Sequence, residues 1–375
     1  MRQEERENLE QQLQDVPYGS VTTIRHTLPG QEEVLLTGQF SARTKGKGKL
    51  DVYQPLPGVE ASYSRLIGTE VTVCHEASDT ILELFFCRRG RVGWNMRGGI
   101  SVYLGAGDLS VHSAGCCADS CMMFPLGYAE GLSVSMDLAV LQETFPPILR
   151  DSGVDVQALH QTFCAEKPVA IPASQRLEEI FSPIYSAPSV QRKAYLYLKM
   201  QELLLYLSRV RPQKEMLPPY ESQQTEMIKE IHRELTTHLE QRLTIEDLAR
   251  KHLINTSTLK EVFKAVYGQP IGAYMKGYRV EYAMKLLRET RMSIQEIAEC
   301  VGYRTQGKFS KAFKDVAQML PTEYRNHAAR DFFEWEHNLN GSMSGAHESA
   351  NAGKGANNDA GEYHSDDRAS YADGE

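Results

Sequence analysis

The chain has 375 residues, 41% hydrophobic and 24% charged, a balance that supports roughly two or three globular domains with real cores. Its net charge of −8 argues against a uniformly basic surface, and its longest greasy stretch, Leu203–Leu207, is far too short to span a bilayer. The opening MRQEERENL has no apolar core of a secretion signal, and seven cysteines at irregular spacing point to reduced thiols in the cytoplasm, so no membrane contact is expected.

Residues 1–50 are polar. Their Gly/Lys run KGKGK, Lys45–Lys49, lacks P-loop spacing and reads as a hairpin tip or loop. From Val59 to Leu138 the texture is β: Ala61–Leu66, Glu70–Val73, Ile81–Cys87, Arg91–Met96, Ser101–Leu104 and Leu132–Met136 are separated by Gly-containing breaks. YLGAGDLSVHS, Tyr103–Ser113, reads as strand, Gly-Asp turn, strand. Many short strands without intervening helices imply a sandwich or small barrel.

Beyond Asp137 the pattern turns helical over Leu138–Leu149, Val156–Phe163 and Ser174–Ile184. A longer amphipathic helix, Val190–Val210, sets Tyr197, Met200, Leu203, Leu204 and Leu207 on one stripe, which suits packing on the sheet or a dimer seam. RPQKEMLPP, Arg211–Pro219, is a Pro-rich linker, and residues 341–375 are too poor in apolar groups to order.

Charge is unevenly placed. Residues 221–330 hold 18 Lys/Arg against 14 Asp/Glu, whereas residues 331–375 hold 2 against 10. An acidic tail thus masks a mildly basic segment that is suited to meet phosphate.

That basic segment repeats itself. Thr244, Ile245, Leu248 and Ala249 match Ser293, Ile294, Ile297 and Ala298 at an offset of 49; Leu259, Phe263, Lys264 and Tyr274 match Phe309, Phe313, Lys314 and Tyr324 at 50. Each copy reads as helix, tight turn, helix, and a long helix over Ile271–Glu289 joins them. Ser293 with Glu296 is a capping-box pattern, and Thr244 with Asp247 is a weaker version of it. Gly302 suits the left-handed turn of the second copy, where the first copy has the less favourable Leu253. Asn255 and Thr305 are natural N-caps of the second helices, which turn polar and Lys-bearing faces outward, as a helix end in a major groove would.

Here the segment resembles the DNA-binding region of the AraC/XylS family of transcription regulators. The residues that carry the resemblance are IEDLA (Ile245–Ala249), LKEVFKAVYGQP (Leu259–Pro270), YMKGYRVEYAMKLL (Tyr274–Leu287), SIQEIAECVGY (Ser293–Tyr303), KFSKAFK (Lys308–Lys314) and PTEYR (Pro321–Arg325). The resemblance implies two helix-turn-helix units on a linking helix, one recognition helix in each of two successive major grooves. The positions matching its recognition residues are Ser257, Thr258, Lys260, Glu261 and Lys264, then Thr305, Gln306, Gly307, Lys308, Lys311 and Lys314. Gln318 and Leu320 depart from the family pattern, in which a Gly and a small polar residue are usual, and Gly307 has no side chain to read a base.

Family members often carry an effector-binding, dimerising domain ahead of the DNA-binding part, and YLGAGDLSVHS looks like the cupin-type barrel found there. The fold class expected is α+β: an N-terminal cupin-like β-barrel or sandwich with helices, an all-α double helix-turn-helix domain, and a disordered acidic tail. The boundaries expected are 1–210 for effector sensing and dimerisation (β-rich over 20–138, helical over 138–210), 211–220 for the linker, 221–330 for DNA binding and 331–375 for the tail. Order and composition also resemble the ferri-siderophore (pyochelin-type) sensor branch.

Trp94, Tyr103, His112, Phe124 and Tyr128 are the candidate lining of a ligand pocket. The partners implied are double-stranded DNA, a small-molecule effector, a second copy of the chain and, for an activator, RNA polymerase. No cofactor is expected. No His-x-His pair occurs in the β-region, where His75 and His112 stand alone, and neither catalytic nor metal-binding residues are assigned. The alternative is a cupin-type metal-binding or redox module built on Cys74, His75, His112, Cys116, Cys117 and Cys121 and fused to a DNA-binding tail.

Overall fold

A computed structural model describes residues 2–28, 31–37, 46–73, 75–118, 120–164, 167–212 and 216–327; the expected acidic tail and Cys74 lie outside them. The chain opens with α1 (Arg2–Gln12), where the sequence pattern marks no helix. Nine strands follow: β1 (Val21–Leu28), β2 (Gln31–Thr37), β3 (Lys47–Leu56), β4 (Val59–Ile67), β5 (Glu70–Val73), β6 (Ile81–Gly90), β7 (Val92–Met96), β8 (Ile100–Leu104) and β9 (Leu109–Ser113). A single turn, α2 (Ala114–Cys117), leads to β10 (Ser120–Met123) and β11 (Tyr128–Asp137). The Lys47–Lys49 half of the Gly/Lys run is thus strand rather than loop. Lys47 is buried there, its Nζ donating to the Leu13 carbonyl at 2.8 Å beneath the Tyr18 ring.

Helices then take over, each started by a side-chain cap where the sequence supplies one. Asp137 caps α3 (Leu138–Thr144), Pro147 opens α4 (Pro147–Asp151), Asp155 caps α5 (Val156–Phe163), and Ser174 caps α6 (Gln175–Ser186) after the short β12 (Val169–Ile171). α7 (Arg192–Leu207) and β13 (Tyr220–Glu221) complete the run.

Among the described residues the strands form an eight-stranded sheet, β12-β9-β6-β11-β4-β3-β1-β2, and a five-stranded sheet, β13-β8-β7-β10-β5, in which only the β1–β3 pairing is parallel. Strand parity sorts the side chains. Phe85 and Cys87 of β6 point between the sheets with Trp94, Val102, Leu104 and Phe124. Leu84 and Phe86 of the same strand face the other way, onto Phe181, Met200 and Leu203 of α6 and α7. Each such fully buried side chain is worth about 1.5–3 kcal/mol relative to exposure. Of the expected α7 stripe Met200, Leu203, Leu204 and Leu207 are buried, with Leu196, whereas Tyr197 stays 42% exposed.

The remaining helices are α8 (Ser222–Thr237), α9 (Ile245–Lys251), α10 (Thr256–Tyr267), α11 (Ile271–Glu289), α12 (Ile294–Cys300) and α13 (Gln306–Ala317), followed by helical residues 321–327. The chain divides into two compact units, residues 1–279 and 280–375, with the boundary inside α11. In the first unit α8 and α10 pack against the outer face of the five-stranded sheet, and α9 packs on α10. Tyr103 of β8 and Met123 of β10 share a core there with Ile228, Ile231, Leu259, Phe263 and Tyr267. The second unit has its own core of Val280, Ala283, Leu287, Ile297, Ala298, Phe309 and Phe313.

Candidate nucleic-acid interface

The repeat in the sequence is a repeat in structure, cap by cap. Thr244 opens α9 and Ser293 opens α12, each with both bonds of a capping box. The return bond is longer in the first copy: Thr244 N donates to Asp247 Oδ2 at 3.4 Å, Ser293 N to Glu296 Oε2 at 2.7 Å. A shorter acidic side chain reaches less far. Asn255 and Thr305 cap α10 and α13 by accepting from the amides of Thr258 and Lys308.

Both connecting turns need a left-handed residue. Gly302 takes it at φ 80° at no steric cost, while Leu253 takes it at φ 53° with its side chain 94% exposed. The C-terminal ends of the recognition helices repeat the contrast, with Gly268 at φ 76° closing α10 and Gln318 at φ 60° closing α13. Gln318, where a Gly is usual in the family pattern, thus takes the left-handed conformation that glycine adopts at no steric cost, and its Nε2 donates to the Asp315 carbonyl.

Apolar residues of α10 and α13 point inward, and the outward faces carry the expected residues. Ser257, Lys260, Glu261 and Lys264 are exposed, as are Thr305, Gln306, Gly307, Lys308, Lys311 and Lys314; Thr258 is half-buried. Ser257 donates to Asn255 Oδ1 at 2.7 Å, so it is held against the cap. A side chain at Gly307 would meet nothing within 4 Å, leaving a bare stretch of helix face between Gln306 and Lys308. Arg304, exposed in the turn before α13, joins this polar edge and was not singled out by the sequence pattern.

Behind the first recognition helix, α8 fixes its neighbour by charge. Glu234 accepts from Lys251 Nζ at 2.7 Å and His252 Nε2 at 3.0 Å, bonds that hold its carboxyl below the usual carboxylate range. His232 stacks on Tyr267 at 4.3 Å, receives or gives a bond to Tyr274 Oη at 2.9 Å, and is pushed down to about 4 by burial, so it stays neutral.

The far end of α10 meets the β-domain. Arg91 Nε donates to the Val266 carbonyl at 3.0 Å and a second guanidinium nitrogen to Ala265, satisfying carbonyls that a helix end leaves open. Arg91, Tyr103, Asp108, Tyr220, Glu261 and Lys264 line a cavity of about 380 Å3 at this junction. No local pattern marks Arg91, which lies 175 positions from Val266.

The five aromatic and imidazole residues expected to share a ligand pocket are spread over different layers. Trp94 and Phe124 are buried between the sheets, with His112 edge-on to Trp94 at 6.1 Å and held neutral, near 4, by burial. Tyr103 faces α10, and Tyr128 packs under α1 with Leu9 and Leu13, donating to Glu5 Oε2 at 2.7 Å. Of the thiols, Cys117 lies 3.3 Å from His75 Nε2, Cys116 lies 3.3 Å from Ser113 Oγ, and Cys121 sits on β10 beside Glu70. Among the described residues no three His, Cys, Asp or Glu side chains are grouped to hold a metal ion. No helix among them is long and apolar enough to cross a membrane.

Two capped helix-turn-helix units with cationic outer helices define a DNA-binding module, and residues 248–327 match the helix-turn-helix domain family model. The chain is 33% identical over 89 residues to the regulatory protein SoxS of Salmonella typhimurium, covering 24% of this chain and 83% of SoxS. It is 40% identical over 84 residues to an AraC-like transcription regulator of Streptomyces lividans, covering 22% of this chain and 28% of that protein. Among solved structures, ToxT of Vibrio cholerae aligns with 72% of this chain and 98% of its own at 12% identity and a TM-score of 0.28. The chain belongs to the AraC-type family of helix-turn-helix transcription regulators. It spans only 28% of the length of the first curated relatives it matches.

Proposed function

We propose that the chain is a sequence-specific DNA-binding transcriptional regulator, acting as a cytoplasmic homodimer under the control of a small-molecule effector held by the N-terminal β-domain. The observation that carries the reading is the duplicated helix-turn-helix, in which α10 and α13 keep matching caps and matching lysines, Lys264 and Lys314, on exposed faces. Each helix would enter a major groove with its N-terminal turn, where Ser257 and Lys260, or Gln306 and Lys308, reach base edges while the later lysines meet phosphate.

One feature supports effector control and another supports dimerisation. Arg91 ties the β-domain to the carbonyl end of α10, so a change in the sheet bears directly on one recognition helix. The open side of α7 and the turn before it expose Val190, Tyr195 and Leu198, apolar groups suited to a second copy. The reading assigns no catalytic step to the chain and covers both activation, with RNA polymerase as a further partner, and repression.

A salt-dependent gel-shift on the chain's own upstream region, with scrambled DNA as competitor, tests it. Selective binding that falls steeply with salt is expected. Equal binding to scrambled DNA would remove sequence-specific regulation.

A further inference from the structure

On the helix-covered face of the eight-stranded sheet, where α6 ends and α7 begins, lies a polar cavity of about 170 Å3. Asp51, Arg65, Arg88 and Glu130 form its floor on β3, β4, β6 and β11, while Tyr185 and Arg192 close it from the helices. Both carboxylates are already matched. Asp51 accepts from Arg65 and lies 3.1 Å from His26 Nε2; Glu130 pairs with Arg88 at 2.6 Å and Arg89 at 3.4 Å. Among the described residues Arg192 makes no ion pair, and the nearby Asp51 charge that acts on it is already bonded to Arg65. Its guanidinium lies over the Tyr63 ring at 5.3 Å, and it makes a 3.5 Å contact to Tyr53 Oη.

Three hydrogen-bond donors of this cavity are buried without a partner: Arg65 Nε, Arg192 Nε and the Tyr185 hydroxyl. A buried donor left without an acceptor destabilises the fold. Three groups able to donate around one space, with one surplus positive charge, suit an anionic acceptor. Burial keeps the Tyr185 hydroxyl protonated, hence a donor. The walls beside the guanidiniums are aromatic, with Tyr63 and Tyr185 edge to face at 5.4 Å and Arg88 stacked on Tyr185 at 4.2 Å.

We propose that this cavity binds a small organic monocarboxylate, whose carboxylate receives the Arg192 and Arg65 guanidiniums and the Tyr185 hydroxyl and whose body lies against Tyr63 and Tyr185. The proposal deepens the reading of the N-terminal domain as effector-binding and rests on it for its regulatory meaning. One negative charge offsets the unmatched Arg192, and the planar guanidinium fits a carboxylate's two oxygens. The volume is well below the roughly 300–1,000 Å3 of sites for drug-sized ligands, which rules a ferri-siderophore out of this cavity. Arg192 is the first residue of α7, so occupancy would act on the helix that carries Tyr195 and Leu198.

The test titrates the full chain with benzoate, butyrate and inorganic phosphate at constant ionic strength, following Tm and heat of binding. A saturable rise in Tm with a carboxylate is expected, at least tenfold weaker in affinity for Arg192→Ala and severalfold weaker for Tyr185→Phe. Tyr185→Phe removes only a partnerless hydroxyl, so its fold should survive and decide the matter if Arg192→Ala does not fold. No saturable response to either carboxylate, equal affinity in wild type and folded variants, or binding of phosphate alone would each overturn the proposal. Carboxylate binding that leaves DNA affinity unchanged upholds the site and overturns effector control through it. A response of DNA binding to some other compound, with no carboxylate binding, does the reverse.

Discussion

Arg91 Nε and the carbonyl oxygen of Val266 are 3.0 Å apart, a bond between the turn that starts β7 and the last turn of the first recognition helix. A guanidinium at this end of a helix is favoured twice, by the open carbonyls and by the helix dipole. Arg91→Ala should cost about 1–2 kcal/mol in urea unfolding of the first unit, since charged hydrogen bonds to backbone are worth that order. Hydrogen exchange should quicken along α10 and stay unchanged along α13. Equal exchange in both helices would show that Arg91 holds nothing.

Leu253→Gly and Gln318→Gly should each stabilise their own helix-turn-helix unit. Both residues sit at positive φ, where an L side chain costs roughly 1–2 kcal/mol and glycine costs little steric energy. Glycine's greater chain entropy in the unfolded state returns part of this, leaving a gain of about 0.5–1 kcal/mol in denaturant midpoint experiments. A loss of stability in either variant would mean that the side chain, rather than the backbone, is what the turn needs.

Replacing Lys264 and Lys314 with Ala should weaken DNA binding without favouring one sequence over another. The slope of log affinity against log salt should flatten by about 2, near one unit for each phosphate no longer neutralised. An unaltered slope takes both lysines out of the interface. Gln306→Ala should instead relax sequence preference at one position and leave the slope alone.

Acid should weaken the first unit through His232. Burial lowers its pKa from 6.5 to about 4, so folding favours the neutral ring. The stability this represents is complete above pH 6.5 and is lost as pH falls toward and through 4. Between pH 7 and pH 5 the loss attributable to this ring is about 2 kcal/mol. His232→Phe keeps the stack on Tyr267 and should show a correspondingly smaller difference between its urea midpoints at pH 7 and 5.

The residues that were legible from sequence are those whose meaning is local. Thr244, Asn255, Ser293 and Thr305 act on amides three positions away, so spacing alone reveals them. Helices α5 and α11 and strand β5 also fall where the pattern put them. The ligand residues were less legible because parity, which aromatic character does not reveal, decides which side of a sheet each one faces. Trp94 pairs with Val102 and points between the sheets; one residue along, Gly93 pairs with Tyr103 and points out. Gly93 is small for that reason, since a Cβ there would stand 2.3 Å from the Tyr103 ring. The carboxylate cavity was wholly hidden. Arg65, Arg88 and Arg192 are unremarkable as sequence and meet only because α7 lies back over the sheet.

The core that Tyr103 and Met123 lend to α8 and α10 has a genetic corollary. A screen for alleles that lose DNA binding would recover lesions in β8 and β10, far from any base, alongside those in the recognition helices. Such alleles would be temperature-sensitive rather than null. Their suppressors would fall among Ile231, Phe263 and Tyr267, and a map drawn from them would trace the seam between the β-domain and the first helix-turn-helix without any ligand in hand.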